Sequence, residues 1–96
     1  MSAFWIAHVD VHDPDTYGKY AKIATEAIAE HGGVFLARAS RYQQMEGPDR
    51  PRNVVARFPT FEAAVACYES QRYQEAVKLA KVSATRELVI VEESPV

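Results

Sequence analysis

The chain of 96 residues has little of several features that define whole classes of protein. Its one cysteine, Cys67, can form no internal disulfide, which fits a reducing compartment. No apolar segment approaches the roughly 20 residues of a membrane-spanning helix. The N-terminal segment MSAFWIAHVDV also lacks the basic flank and long apolar run of a signal peptide. We therefore expect a cytoplasmic protein with no membrane partner.

An excess of basic charge is also missing. Eleven Lys and Arg residues stand against thirteen Asp and Glu, which gives a formal net charge of -2, and the basic residues are scattered along the chain. Proteins that bind nucleic acid usually concentrate basic charge in a patch or along one helix. We expect no nucleic-acid partner.

The overall composition is that of a globular protein, with 48% hydrophobic and 25% charged residues. A second core would leave each half too small to bury enough apolar surface, so residues 1–96 are predicted to form a single domain. A chain of this size buries on the order of 60% of its unfolded-state surface, which leaves a thin margin of stability. This favours an oligomer.

The first half of the chain reads as strand, helix and strand. Residues 4–11 alternate between an apolar face and a mixed face that includes His8 and Asp10. Asp13 and Pro14 predict the start of a helix that ends near His31, before two glycines. Residues 34–46 are predicted to be a long strand. Its alternation of apolar and polar residues is imperfect at Arg38, which predicts either a bulge or a change of partner strand partway along.

The second half repeats the same order after the turn segment GPDRP, residues 47–51. Residues 52–58 are predicted to be a strand, and Thr60 caps the helix that follows. The apolar stripe of that helix changes phase near Ser70, which predicts a kink at which serine caps a new helical segment. Residues 86–94 are predicted to be the last strand.

This order of elements predicts an α+β, ferredoxin-like βαββαβ fold. Its four-stranded antiparallel sheet would have the strand order 4-1-3-2, with both helices on one face and the second helix kinked. The opposite face would then expose large apolar side chains, namely Phe4, Ile6, Val55, Val89 and Val91. We expect a second copy of the chain to cover that face, so that two sheets form a dimeric α/β barrel with an interface of about 1,200–2,000 Å² or more.

The chain also resembles a known family over nearly its whole length. The similar segments, in chain order, are WIAHVDVHDPDTYGKY, HGGVFLAR, EGPDRPRNVVARFPTFEAAVACYESQRYQEA and LVIVE. They resemble the domain of unknown function 1330 family, a group of small bacterial proteins. The resemblance implies a ferredoxin-like fold of the dimeric α/β-barrel superfamily, which includes cofactor-free monooxygenases. It implies no reaction and transfers no catalytic residue.

One group of candidate site residues lies on the mixed face of the first strand. His8 would be enclosed there by a dimer, in surroundings able to tune a general base. Asp10 and Arg57 are predicted to share that face and to bind an anionic or carbonyl-bearing metabolite. In the alternative interpretation, which we favour, these charges pair with each other across the dimer interface.

A second group is predicted to line a cleft between the helices and the sheet. This group consists of Tyr17, Tyr20, Tyr68, Tyr73 and Trp5, and its tyrosine hydroxyls suit a small-molecule site. Arg38 is a second candidate to hold an anion. The alternative is that aromatic residues at helical spacing are plain core. Cys67 is interpreted as a structural residue. The spacing of the three histidines matches no compact metal site, so we expect no metal and no other cofactor.

Two hypotheses of function follow. In the first, a cytoplasmic homodimer binds a small organic metabolite in the barrel cavity and transforms it, if at all, by proton transfer or cofactor-free oxygenation with His8 as the base. In the second, the protein is a non-catalytic dimeric structural or regulatory module. A cavity of at least a few hundred cubic ångströms with convergent polar groups would favour the first.

Overall fold

The alternating segments of the chain form one antiparallel sheet in the computed structural model, which describes all residues 1–96. The strands are β1 (Ala3–Val11), β2 (Val34–Arg38), β3 (Arg52–Phe58) and β4 (Ala84–Glu92). The helices are α1 (Pro14–Glu30), α2 (Phe61–Glu69) and α3 (Gln71–Ser83).

The strands lie side by side in the order β2-β3-β1-β4. Counted from the β4 edge, this is the predicted strand order 4-1-3-2, which confirms the ferredoxin-like arrangement. β1 is central and pairs with β3 on one side and β4 on the other, so that Ile6 lies opposite both Val55 and Val89. β2 and β4 are the two edge strands.

One face of the sheet is covered by the three helices and holds the core. Alternate residues of β1, including Trp5, Ala7 and Val9, are buried on this face, as the alternation predicted. The buried stripe of α1 includes Tyr17, Tyr20, Ala24, Ala27 and Ile28. Because the contact side chains of α1 and α3 include several alanines, the two helices pack closely side by side over the sheet.

Local caps explain where α1 begins and ends. Oδ1 of Asp13 accepts a hydrogen bond of 3.3 Å from the backbone N–H of Thr16, and Pro14 occupies the first helical position. The chain leaves the helix after His31 through Gly32, whose φ of 82° favours glycine. Gly33 then passes so close to Ile28 that an added Cβ would lie 2.5 Å from its Cγ2.

The predicted kink at Ser70 is confirmed, because this residue ends α2 and caps α3. Its hydroxyl donates to the carbonyl of Cys67 over 2.7 Å and accepts from the backbone N–H of Tyr73 over 3.2 Å. The change of direction lets both helices face the same sheet. The Tyr73 ring meets the Trp5 ring edge-on, with 5.0 Å between their centroids.

The predicted length of the second strand is wrong. β2 ends at Arg38 rather than at residue 46. The predicted irregularity is present, as a shift of register between Phe35 and Ala37. The next residue after the strand, Ala39, has a φ of 54°, which turns the chain away from the sheet edge. Residues 39–51 therefore form irregular structure.

The last strand also differs slightly from its prediction. β4 covers residues 84–92 rather than 86–94. It begins earlier because β1 extends to Val11, which pairs with Ala84. No helix of the structure combines the length and the apolar character that a membrane span needs.

The other face of the sheet has no covering layer. The molecule is a slab of 36 × 34 × 17 Å, which matches one sheet and one layer of helices. Val34, Val89 and Val91 are exposed on the uncovered face, with Val89 at 54% of its full accessibility. Phe4, Ile6 and Val55 are only partly buried on the same face. We call this surface the open face.

Candidate ligand pocket beside the edge strand

A pocket lies between α2, α3 and the edge strand β4, on the helical side of the sheet. It has a volume of about 590 Å³. We call it the α2–β4 pocket. Its wall is mostly apolar, with Val65, Val77, Ala80, Leu88 and Ile90 among the lining residues. Three charged side chains also line it, namely Glu69, Lys81 and Arg86.

Arg86 reaches the inner side of the sheet because of its register in β4. It lies opposite Val9, a core residue, and on the same side of its strand as Leu88 and Ile90. Its guanidinium carbon lies 4.5 Å from the centroid of the Tyr20 ring. Its Nη2 donates to the hydroxyls of Tyr20 and Tyr73, over 2.9 and 3.0 Å. Arg86 thus connects β4 to α1 and α3.

The two tyrosine hydroxyls form the polar centre of this arrangement. The Oη atoms of Tyr20 and Tyr73 lie 2.6 Å apart, and both residues are buried. Burial raises the pKa of both phenols above its ordinary value, and the neighbouring Arg86 opposes this rise in part for each of them. Both groups therefore stay neutral at physiological pH, and neither supplies a negative charge to Arg86.

Arg86 is one of three arginines on the inner side of the sheet. Arg52 of β3 lies opposite Val9 on the side of β1 that faces away from β4. The guanidinium carbon of Arg52 lies 5.5 Å from the centroid of the Tyr17 ring. Arg38 stacks on Phe35 and donates to the hydroxyl of Thr25. None of the three has a carboxylate within 4.0 Å, whereas Arg50, Arg57 and Arg72 each form an ion pair.

A second and much smaller cavity joins these three arginines. Its volume is about 30 Å³, and Tyr17, Tyr20, Arg38, Arg52 and Arg86 are among its lining residues. This volume suits one or two water molecules. Since Arg86 lines both cavities, its side chain stands between the small one and the α2–β4 pocket.

The structure places one group of the sequence-predicted site residues on the open face. Nδ1 of His8 lies 2.6 Å from Oδ1 of Asn53. Arg57 pairs with Glu93 over 3.4 Å and lies opposite Phe4, four residues from His8 along β1. At about 3.3 Å per residue, this spacing separates His8 and Arg57 by roughly 13 Å. Asp10 is half-buried beyond His8 in the same row.

The remaining predicted residues lie on the helical side of the sheet. Tyr68 lines the α2–β4 pocket, and the hydroxyl of buried Tyr73 meets Arg86. Tyr17 and Arg38 line the small cavity instead. The predicted site residues are thus divided between the two sides of the sheet and do not form one constellation.

Sequence reasoning missed Arg86 as a site residue, although a signal was present. In the segment RELVIV, Arg86 has the same parity as Leu88 and Ile90, which places a cation on the core-facing side of the strand. Arg52 has the same relation to Val54 and Ala56. An arginine at such a position needs a partner or a function inside the fold.

The histidines and the cysteine each have a local role. His8, His12 and His31 bond to different groups, the last two to the Thr85 hydroxyl and the Ala27 carbonyl. No three side chains of the types that ligate metals converge anywhere in the structure. Cys67 is fully buried, and burial raises the pKa of its thiol to about 11, which suppresses the nucleophilic thiolate.

Comparison with known proteins identifies the family. Residues 2–94 match the family model described as "Domain of unknown function (DUF1330)". The chain belongs to the DUF1330 family. This confirms the resemblance seen in the sequence. No curated protein matches this DUF1330 chain.

Solved structures share the fold of this DUF1330 protein at low sequence identity. RPA0582 of Rhodopseudomonas palustris, a protein of unknown function, aligns with a TM-score of 0.80 at 16% identity, over 97% of this chain and 82% of that one. SnoaB of Streptomyces nogalater, a cofactor-independent oxygenase, aligns with a TM-score of 0.65 at 12% identity, over 99% and 95% of the two chains.

A third similar structure is described as dimeric. This Bacteroides fragilis protein of unknown function and ferredoxin-like fold aligns with a TM-score of 0.56 at 13% identity, over 96% of each chain. At these identities the three likenesses establish the fold alone.

Proposed function

We propose that this DUF1330 protein binds a small organic molecule in the α2–β4 pocket. The observation that carries the proposal is the pocket itself. Its volume of about 590 Å³ lies within the range of about 300–1,000 Å³ that is typical of small-molecule sites. Its mostly apolar wall, with one inner cation, is also the usual composition of such a site.

The pocket argues against a purely structural role for this side of the sheet. The pocket is an open cleft, and apolar side chains that line it, such as Leu88 and Ile90, are only partly buried. Burying a cation without a carboxylate partner is costly as well. A space of this size beside Arg86 is therefore better explained by a ligand than by packing, which favours the first hypothesis over a non-catalytic module.

The unit that carries this site is proposed to be a cytoplasmic homodimer closed through the open face. The centre of that face is apolar, with Ile6, Val55 and Val89 in one row, and its ends are polar. An apolar centre with a polar rim is the common anatomy of an interface. The long dimensions of 36 and 34 Å provide room for the roughly 800 Å² per partner of a standard interface. The dimeric neighbour from Bacteroides fragilis supports this assembly.

Turnover of the ligand is a separate step of the hypothesis. SnoaB, which shares the fold, is a cofactor-independent oxygenase, and this supports proton transfer or cofactor-free oxygenation as the chemistry to test first. His8 lies on the opposite side of the sheet from the α2–β4 pocket. His8 would serve as a base only for a molecule held between the two sheets of the dimer. The favoured prediction remains that His8 pairs with charged groups across the dimer interface.

A pocket-filling substitution tests the proposal. Leu88→Trp places an indole in the α2–β4 pocket, whereas Val82→Trp adds the same group at an exposed position of α3 that does not line it. Each protein is purified under native conditions and denatured, and the released small molecules are identified by mass spectrometry. A thermal-shift screen of small acids and aromatics accompanies this measurement.

We expect wild type and Val82→Trp to release, or to be stabilised by, the same compounds, and Leu88→Trp to lose both effects. If wild type releases no compound and no member of the screen raises its melting temperature, the pocket has no ligand. The non-catalytic module would then be the better account.

A further inference from the structure

We propose that the ligand of the α2–β4 pocket is an amphipathic organic monoanion whose charged oxygen binds Arg86. This inference rests on the proposed function and narrows it to a chemical class, namely small apolar or aromatic acids with one carboxylate or comparable anionic oxygen. It follows from the hydrogen-bond donors, the charges and the apolar lining around Arg86.

The first argument is a surplus of donors. The guanidinium group has five N–H donors and no acceptor. Nη2 of Arg86 uses its two hydrogens on Tyr20 and Tyr73. Nη1 has no partner in the protein, and Nε is buried without one. The group thus keeps three N–H donors without an acceptor in the protein, and the two on Nη1 are the ones that a molecule in the pocket can reach, because Nε is occluded.

The tyrosine pair adds to this surplus. One of the two hydroxyls donates its hydrogen to the other across the 2.6 Å contact between Tyr20 and Tyr73. The hydrogen of the second hydroxyl has no acceptor in the protein, because the nearest partner, Arg86, is itself only a donor. Neither tyrosine lines the α2–β4 pocket, so the pair contributes to the site only by giving Arg86 no anionic partner. An acceptor-rich group complements Arg86, and an amine or a second cation does not.

The second argument is charge. Arg86 has no carboxylate within 4.0 Å, and both tyrosines beside it stay neutral. Lys81 and Glu69, which also line the pocket, are exposed to solvent and carry opposite charges. The pocket therefore carries about one net positive charge, and this charge is on Arg86. One anionic group on the ligand balances it, and a dianion would leave a charge uncompensated in mostly apolar surroundings.

The third argument is the rest of the lining. Beyond Arg86 the wall consists largely of aliphatic side chains, of which Val65, Val77, Leu88 and Ile90 offer no polar group. These residues favour an apolar body attached to the anionic oxygen. The volume of about 590 Å³ accommodates one or two fused rings or a short alkyl chain.

A purely structural role for Arg86 makes a different prediction. Stacking on Tyr20 and two hydrogen bonds would be sufficient for that role, and the side chain would then act on folding alone. Substitution would lower stability without any change in the ligands that the pocket accepts. A structural role and a binding role are therefore separated by ligand preference and not by stability.

The test compares acids with their neutral amides. Isothermal titration calorimetry at fixed low salt measures the Kd of 2-naphthoate and 2-naphthamide, and of benzoate and benzamide, for four proteins. These are wild type, Arg86→Met, Arg86→Lys and the control Arg57→Met, whose side chain pairs with Glu93 on the open face. Circular dichroism of each variant establishes that it is folded.

We expect wild type and Arg57→Met to bind each acid at least about tenfold more tightly than its amide, because the neutral amide has no negative charge to pair with Arg86 inside the pocket. The acid-to-amide ratio should fall to about one in Arg86→Met. Arg86→Lys, which keeps the charge, should retain part of the preference and serves as the decisive variant if Arg86→Met does not fold.

Three results overturn the inference. They are equal binding of acid and amide by wild type, an acid preference that survives in Arg86→Met, and no binding by any of the four compounds. The first two leave the proposed function intact, since the pocket would still bind small molecules. In the third case the compound-release experiment above decides separately whether the pocket has another kind of ligand.

Discussion

Tyr20 and Tyr73 are 53 positions apart in the chain, yet their hydroxyl oxygens lie 2.6 Å from each other inside the core. This contact joins α1 to α3, and Nη2 of Arg86 completes it from β4. The helical layer is thus connected to the sheet by a polar triad of two buried tyrosines and the half-buried Arg86, as well as by apolar packing. The α2–β4 pocket lies directly beside this triad.

Removing either hydroxyl should lower stability, because each removal costs one buried hydrogen bond and leaves the other hydroxyl with fewer partners. We expect Tyr20→Phe and Tyr73→Phe each to lower the free energy of unfolding by about 1–2 kcal/mol in urea denaturation. The double variant should lose less than the sum, because the two groups contact each other. Tyr17→Phe is the matched control, since its hydroxyl forms no hydrogen bond, and it should change little. Strict additivity would show that the contact contributes nothing.

Cys67 should make stability depend on alkaline pH. Burial, with a smaller contribution from Glu30, raises the pKa of its thiol from the ordinary 9.0 to about 11 in the folded chain. The folded chain therefore keeps this proton while the unfolded chain loses it. The resulting stabilisation is complete below the unfolded value and is lost as the pH rises through about 11.

Urea denaturation of wild type and Cys67→Ala across this range measures the effect. The difference in unfolding free energy between them should stay constant from neutral pH to about pH 9 and then shrink up to about pH 11, in favour of the variant. The tyrosines titrate in both proteins and cancel in the comparison. A difference that stays constant with pH would mean that the thiol is not protected by burial.

Two glycines should respond in opposite directions to alanine. Gly18 lies within α1, and no atom lies within 4 Å of an added Cβ. Gly18→Ala should raise the free energy of unfolding by about 0.5–1 kcal/mol through helix propensity and the entropy of the unfolded chain. Gly33→Ala should destabilise, because its Cβ would lie 2.8 Å from the Phe58 ring and closer still to Ile28. Equal melting temperatures of these two variants would contradict the packing described at Gly33.

The open face should respond to charge at its centre. Val89→Asp places a carboxylate in the proposed interface and should convert a dimer into a monomer, because an unpaired buried charge is costly. Val82→Asp is the control, since Val82 is 75% exposed on α3, on the other side of the molecule. Sedimentation at micromolar concentration gives the mass of each protein. A wild-type monomer would end the proposal of a dimer.

Most of the fold could be predicted because its signals are local and periodic. The alternation around Trp5, the caps at Asp13 and Thr60 and the phase change at Ser70 each depend on neighbours in the chain. The end of β2 could not be predicted, because it depends on the positive φ of Ala39, for which alanine gives no signal.

The site was harder to predict, since it depends on register between distant strands. His8 and Arg57 share a face, as their parity implied, but only the pairing of β1 with β3 shows that they lie far apart along it. Arg86 becomes part of a site because Val9 lies opposite it and because Tyr20 and Tyr73 converge there from two helices. No segment of the sequence contains that convergence.

The central claim is that the α2–β4 pocket binds a small organic ligand, and NMR tests it most directly. 2-Naphthoate, or a compound released from the purified protein, is titrated into ¹⁵N-labelled protein while the backbone amide signals are followed. We predict saturable shifts at Val65, Val77, Leu88 and Ile90, with the signals of His8 and Val55 on the open face unchanged. Shifts confined to the open face, or none with any compound that the protein releases, would contradict the account.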